Sequence, residues 1–325
     1  MPGPERLDAL ILGGGMAGLS AALSLRGFAI DVAIVEEAVR PGGQIHEVHA
    51  VIRDYPMAYG LDGARFAAQL LGEARAAGFA ILVGAPVTKV SARGRWVERP
   101  GQGGDGGGGG GAKPRTERLH ARALVLATGL RRRALGVPGE RELLGRGVTH
   151  SANRDRTLFA GRPVVVVGGG TAAVEDALLC ADVGSRVTLL HRSARFRART
   201  DFLARARANP RIRIVTNVEI LRIEGTDRAE AVEFRPRGAP RPRHVEAAGV
   251  FVRIGWDPRT ELLRGQVALD RAGYVRVRAG GATNVPGVWA AGDVCSPHCP
   301  TLANAAGQGA AVAWEIVRAL GRMPD

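Results

Sequence analysis

The sequence predicts an α/β fold of two three-layer units, one inserted into the other. Three observations carry this. The stretch Asp8–Leu25 reads as strand, glycine turn and helix. The same pattern returns near residue 163. A further α/β segment follows the second copy and ends in a buried strand, Gly287–Asp293. The first copy alone lacks the strands to finish its sheet, and the C-terminal segment can supply them.

In the first unit, Ala9–Leu12 is a short apolar run. Gly13, Gly14, Gly15, Met16, Ala17 and Gly18 follow, then a helical pattern over Leu19–Leu25. That context turns a loose G-x-G-x-x-G into a Rossmann-type dinucleotide fingerprint. Gly13 permits the tight turn, Gly15 lets backbone approach a pyrophosphate, and Gly18 brings helix and strand close. The helix N-terminus offers free N–H groups to phosphate. A second strand, Asp31–Val35, ends in Glu36, an acid suited to ribose hydroxyls. The bland alternative is a glycine-rich turn of any α/β domain; the strand, the helix and Glu36 favour the dinucleotide.

Further on, Pro41, Gly42 and Gly43 mark a turn before Gln44. Leu61–Gly78 places Phe66, Leu70 and Ala74 on one helical face. Ala80–Val83 and Val87–Val90 read as strands. The run GQGGDGGGGGG from Gly101 cannot pack a core, so residues 101–112 are expected to be a flexible loop. Ala123–Gly129 is a buried strand running into a turn.

The second unit starts with the strand Pro163–Val167. Gly168, Gly170 and Ala173 line its turn, and the helix beyond carries Glu175 and Asp176. Its second strand, Arg186–Leu190, ends in His191–Arg192 rather than an acid. Arg192, with Arg195 or Arg197, suits a 2′-phosphate. Ile212–Val215, Ala231–Phe234 and Gly249–Gly255 read as further strands, and Leu302–Leu320 as a closing helix. The expected boundaries are residues 1–132 and 249–325 for the outer, discontinuous domain and 133–248 for the inserted one.

Composition excludes several classes. A hydrophobic content of 46 % is ordinary for a globular chain. No run reaches the ~18 apolar residues of a membrane span. The chain runs from MPGPERLD straight into a strand, so no signal peptide and a cytoplasmic location are expected. Three cysteines, Cys180, Cys295 and Cys299, make no disulfide framework. The net charge of +14 is carried by scattered arginines without a basic helix interleaved with aromatics, so nucleic acid is not the expected partner. No metal site is expected: C-x-x-x-C with one His lacks a fourth ligand.

Five motifs in order resemble the low-molecular-weight thioredoxin reductase family. They are LGGGMAG, PGGQI followed by RDYP, ATG at Ala127–Gly129 followed by VPGE, VVGGGTAAVEDA with His191–Arg192, and AAGDV at Ala290–Val294. The resemblance implies FAD in the outer domain, NADPH in the inserted one, rotation of the inserted domain, and a homodimer. It assigns Gly13, Gly15, Gly18, Glu36, Gln44 and Asp293 to FAD. It assigns Gly168, Gly170, Ala173, Arg192 and Arg197 to NADPH. The family's H-R-R-x-x-x-R-A is kept at His191, Arg192, Arg197 and Ala198, but Ser193 replaces one arginine. NADPH stays favoured over NADH, since a phosphate clamp that loses one guanidinium is weakened and not abolished.

The redox centre departs from the family. After GRGV the family carries C-x-x-C-D; here Gly145–Val148 is followed by Thr149, His150, Ser151, Ala152, Asn153, Arg154 and Asp155. Ser151 and Arg154 take the cysteine positions, and neither side chain can exchange thiol for disulfide. Asp155, the family's proton donor to the thiolate, is kept. His150 beside it is a candidate acid or base, with a surface or hinge histidine as the plain alternative. Cys180, on an apolar helix face, reads as a core thiol. Cys295 and Cys299, in CSPHCPT after Asp293, form a candidate relocated dithiol, with His298 and a helix N-terminus placed to lower the pKa of Cys299.

The expected function is therefore an FAD-dependent oxidoreductase. It takes hydride from NAD(P)H and passes electrons to an unidentified acceptor: a quinone, oxygen, a small disulfide or a redox protein. Two alternatives are a disulfide reductase or dithiol oxidase using Cys295 and Cys299, and a non-catalytic FAD/NAD(P)-binding sensor.

Overall fold

The computed structural model describes residues 6–84, 86–101, 116–295 and 299–322. The glycine-rich run after Gly101 and His298 lie outside the described residues. The chain divides into two compact units, Met1–Arg131 with Pro258–Asp325, and Arg132–Asp257.

In chain order, the first unit opens with β1 (Leu7–Leu12), α1 (Met16–Gly27), β2 (Val32–Val35), α2 (Gly63–Ala77) and β3 (Ala80–Leu82). Then come β4 (Lys89–Ser91), β5 (Trp96–Pro100), β6 (Thr116–Leu126) and the outgoing β7 (Leu130–Arg132). The second unit holds β8 (Val148–Thr149), α3 (Ala152–Asp155), β9 (Pro163–Val167), α4 (Thr171–Asp182), β10 (Arg186–His191) and α5 (Thr200–Ala208). It continues with β11 (Ile212–Thr216), β12 (Val218–Glu224), β13 (Ala231–Pro236), β14 (Arg243–Glu246) and β15 (Gly249–Val252). After β16 (Trp256–Pro258) the chain re-enters the first unit for β17 (Val288–Ala290) and α6 (Leu302–Ala319).

The first unit's sheet runs β3-β2-β1-β6, with β17 on the other side of β6. All these pairs are parallel. β6 does two jobs. Residues 116–120 pair antiparallel with β5 and are partly exposed, whereas 121–126 lie between β1 and β17. A parallel strand covered on both faces must be apolar throughout. Ala123–Leu126 accordingly are fully buried, as are Leu10 and Ile11 beside them. Burying each such Leu or Ile stabilises the unit by roughly 1.5–3 kcal/mol. The C-terminal segment is integral to this unit: a Cβ at Gly309 of α6 would come 2.3 Å from the Ala17 carbonyl oxygen of α1. The Ser20 hydroxyl also donates to the Ala306 carbonyl at 2.8 Å.

α2 is shorter than the Leu61–Gly78 periodicity suggests, because its caps trim it. The Asp62 carboxylate accepts the Arg65 N–H at 2.9 Å, and Gly78 closes the helix at a φ of 71°.

The second unit's sheet is five-stranded and parallel, β11-β10-β9-β15-β8. A separate antiparallel sheet, β12-β13-β14, packs on it, with Val218, Ile223, Val232 and Phe234 sharing a core with Val165, Val167 and Leu190. One expectation is corrected here. The return to the outer domain was expected at residue 249, but β15 pairs in parallel with β9, Gly249 opposite Val164, so the return comes at Pro258. GVFV reads equally well as a central strand of either sheet; pairing partners lie outside any local pattern.

Candidate functional site

In the first unit the glycine turn forms because β1 ends against β6. Gly13 adopts a φ of 107°, and a Cβ there would lie 2.3 Å from the Ala127 carbonyl oxygen, so only glycine fits. α1 then begins at Met16, with no side-chain cap on its first N–H groups. Gly15 has nothing within 4 Å of its missing Cβ, so backbone faces open space at the N-terminus of α1. Glu36 is buried at the end of β2. Its Oε2 accepts the Gly14 N–H at 2.7 Å, and its Oε1 accepts the Ala38 N–H at 2.9 Å. Two more segments close on the turn. The Gly42 N–H donates to the Gly14 carbonyl at 2.8 Å, which sets the start of the short helix Gly43–Glu47. From there Gln44 Nε2 donates to Asp293 Oδ2 at 3.1 Å.

Gln44 and Asp293 are 249 positions apart in the chain, and the fold brings them together. Burial pushes the Asp293 carboxyl above its ordinary range, and the Gln44 bond opposes this. Gln308, which sequence reasoning missed, fixes the same turn: its Oε1 accepts the Gly292 N–H at 2.7 Å.

In the second unit the corresponding turn sits between β9 and α4. A Cβ at Gly168 would lie 2.2 Å from the Arg253 carbonyl oxygen, whereas Gly170 faces open space. Ala173 is fully buried under the turn. The His191 ring covers Gly169: a Cβ there would lie 2.0 Å from the ring. Its Nε2 pairs with the Arg195 carbonyl at 3.1 Å, and the Arg197 N–H donates to the Gly169 carbonyl at 2.8 Å. Burial pushes the His191 imidazole below its ordinary value, and Arg192 and Arg197 push it the same way. Arg192, Arg195 and Arg197 are all exposed on a loop clamped to the glycine turn.

Ser151 and Arg154, which the resemblance sets at the family's cysteine positions, bond within their own segment. The Ser151 hydroxyl accepts the Arg154 N–H at 3.4 Å and caps α3. The Arg154 guanidinium forks Asp155: Nε donates to Oδ1 at 2.7 Å and a terminal nitrogen to Oδ2 at 2.7 Å. The Thr149 hydroxyl donates to the same Oδ2. Bidentate arginine–carboxylate geometry of this kind is strong and directional. Asp155 therefore receives three donors from its own segment. His150 is held by its backbone neighbours: Nδ1 lies 3.2 Å from the Val252 carbonyl, which can only accept, so this nitrogen carries the proton.

Cys295 and Cys299 are both free thiols. Burial pushes Cys295 up to about 12, and Asp293 pushes it further the same way. Its sulfur donates to the Gly292 carbonyl at 3.3 Å. Such a thiol is protonated at neutral pH, which is the reverse of activation. Cys299 is exposed, 3.7 Å from the Thr301 hydroxyl. Cys180 is fully buried, and burial pushes it to about 12.

Residues 7–309 match the family model described as pyridine nucleotide-disulphide oxidoreductase. The chain belongs to this family. It is thioredoxin-reductase-like. A thioredoxin reductase of Mycolicibacterium smegmatis is 44 % identical over 199 residues, 61 % of this chain and 64 % of that protein. An NADH dehydrogenase of Ferdinandcohnia aciditolerans is 32 % identical over 309 residues, 95 % of this chain and 56 % of its own length. The chain thus spans less than two thirds of these curated relatives. The thioredoxin reductase of Lactococcus lactis superposes with a TM-score of 0.77 at 26 % identity, covering 98 % of this chain and 100 % of that one.

Members of the pyridine nucleotide-disulphide oxidoreductase family bind FAD and a pyridine nucleotide. The residues present fit both groups. Each turn keeps an open backbone face at its second glycine, where a Cβ would intrude on a pyrophosphate. Each helix begins without a side chain occupying its first N–H groups. Among the described residues, no helix is long and apolar enough to cross a membrane.

Proposed function

We propose that this chain binds FAD in the first unit and NADPH in the second, takes hydride from NADPH, and passes electrons on without a cysteine pair. The observation that carries the last clause is the Arg154–Asp155 fork. In the family's dithiol place stand a helix cap and an ion pair, and the acid expected to protonate a thiolate is engaged by Arg154 and Thr149.

FAD, when bound, supplies a two-electron acceptor for hydride and a donor to the next partner. The chain's own contribution is positioning. Gly13–Gly18 and the start of α1 receive the pyrophosphate. Glu36, already ordered by the Gly14 and Ala38 N–H groups, keeps lone pairs for ribose hydroxyls. Gln44 and Asp293 hold one another at the turn that the resemblance assigns to the flavin side. In the second unit, Arg192 and Arg197 supply cationic donors for a 2′-phosphate, and NADH lacks the group they would bind. A homodimer, implied by the resemblance, and a cytoplasmic location, expected from the sequence, are part of the same reading.

Anaerobic mixing of the FAD-loaded protein with NADPH and with NADH tests the proposal. Bleaching of the flavin absorbance, tighter with NADPH, is the expected result. Addition of a quinone, oxygen, a small disulfide or a redox protein then identifies the acceptor by reoxidation. Failure of both nucleotides to bleach the flavin would leave a nucleotide-binding sensor instead of an enzyme.

A further inference from the structure

The second unit contains a buried ion pair that no part of this reading uses. Asp176 lies in the second turn of α4, with its side chain 3 % exposed. Arg253 follows β15 directly and interrupts the apolar run GVFVRIG. The Arg253 Nε lies 3.1 Å from Asp176 Oδ2. This is a charge contact, since the Nε–H makes no aligned hydrogen bond. A buried pair of this sort is weak evidence for stability, because desolvating both charges costs about as much as their attraction returns. Its geometry suggests another role.

Both partners adjoin the glycine turn without forming part of it. Asp176 is on the helix that the turn starts. The Arg253 N–H donates to the Val167 carbonyl at 2.8 Å, and its own carbonyl is the group that excludes a side chain at Gly168. Both partners also reach the segment around Ser151. Arg253 Nη1 donates to the His150 carbonyl at 2.9 Å. The Ala152 N–H donates to Asp176 Oδ2 at 3.4 Å. One carboxylate and one guanidinium therefore bridge the turn and the start of α3.

We propose that Asp176 and Arg253 are positioning residues that lock the 149–155 segment, with His150 and Ser151, in register with the second glycine turn, so that nucleotide in that turn orders the segment. The inference rests on the assignment of a pyridine nucleotide to this turn. The coupling needs no contact between nucleotide and segment. A ligand that favours one arrangement of the turn favours the matching arrangement of whatever the turn holds.

The pair also gives the coupling a pH signature. Burial raises the Asp176 carboxyl from 3.8 to about 6, against Arg253 of β15 and the Ala152 N–H of α3, which lower it. Glu175 on the same helix raises it and Arg132 lowers it. Cys180, one turn on, stays protonated in this range. Below about pH 6 the carboxyl is neutral, Arg253 loses its counter-charge, and the register weakens. The other titratable groups nearby, His150 of the segment itself, His191 and the 2′-phosphate of the nucleotide, are common to wild type and the Asp176 variants.

The test uses the full FAD-loaded chain with NADP⁺ as the probe. Hydrogen exchange of residues 149–155 at pH 7.5 is expected to slow at least threefold on saturation with NADP⁺. In Asp176→Asn and in Arg253→Met the slowing should disappear while NADP⁺ still binds within about fivefold of wild type, a range set by a tie that acts beside the site. The double variant Asp176→Leu/Arg253→Met keeps the volume packed and guards against simple misfolding. It should behave like the single variants. NADP⁺ affinity should fall between pH 7.5 and pH 5 more steeply in wild type than in Asp176→Asn, a difference that a merely structural residue would not produce. Equal slowing in the variants overturns the proposal, and so does a wild-type protein that binds NADP⁺ without slowing 149–155. A wild-type protein that does not bind NADP⁺ overturns this inference and the cofactor assignment together.

Discussion

The two glycine turns and the 149–155 segment treat their polar groups in opposite ways. Each turn leaves something unspent: an open face at Gly15 or Gly170, uncapped N–H groups at the helix start, exposed arginines at the end of β10. The 149–155 segment turns its polar groups inward. Ser151 caps its own helix, and Thr149 and Arg154 converge on Asp155. A site that awaits a ligand keeps donors free, whereas a structural segment satisfies them locally. In the function proposed, the turns are the nucleotide cradles and the segment stands in place of the family's dithiol.

Substitutions should break this contrast in graded fashion. The largest effect is expected at Gly13→Val. A β-branched side chain at a φ of 107°, against the Ala127 carbonyl, should cost about 3 kcal/mol or more and abolish FAD retention. Denaturant unfolding and flavin content after purification measure both. If Gly13→Val keeps stoichiometric flavin, the first turn is not the cradle described.

Next comes the pH dependence of stability. The folded Asp176 carboxyl titrates near 6 and its unfolded counterpart near 3.8. Between these values the native state binds more protons than the unfolded state, so stability falls as pH rises through the window. The whole span amounts to about 3 kcal/mol at most. Asp176→Asn should flatten this slope in unfolding curves taken from pH 4 to pH 6.5, whatever its effect on absolute stability. An unchanged slope would remove Asp176 from the account.

Arg154→Ala should cost about 1 kcal/mol, because the guanidinium is half exposed and solvent screens the fork. Flavin reduction by NADPH should be unaffected, since the fork is read here as structure. Loss of flavin reduction in this variant would return the segment to the catalytic machinery. The smallest effect is expected for Cys295→Ser/Cys299→Ser: reduction of the flavin by NADPH within twofold of wild type, about 0.4 kcal/mol. A partly buried, protonated Cys295 predicts this, and a collapse of turnover with a disulfide acceptor would contradict it.

The legible parts of the molecule were those that local chemistry dictates. The strand–glycine–helix order of both units needs only a few residues in sequence, and Gly13, Gly18 and Gly168 stand where a Cβ would strike backbone. The absence of a thiol at Ser151 and Arg154 was readable from the sequence. What Arg154 does instead was not, because its partner Asp155 had been assigned another role by resemblance. The Asp176–Arg253 pair was missed for a different reason: 77 positions separate the partners, and only an arginine inside a strand-like run hinted at a buried acid. The β15 boundary failed because strand pairing is non-local. α5 was missed because TDFLARARA is short and arginine-rich, with Phe202, Leu203 and Ala206 turned to the core, and it is held by packing on α4 and β11.

The central claim is that electrons leave the flavin without passing through a cysteine pair. The most direct test is the stoichiometry of anaerobic NADPH titration of the FAD-loaded protein. One flavin takes two electrons, and one disulfide takes two more. Full reduction at one equivalent of NADPH per flavin is the predicted result. An end-point at two equivalents that reverts to one in Cys295→Ser/Cys299→Ser would contradict it.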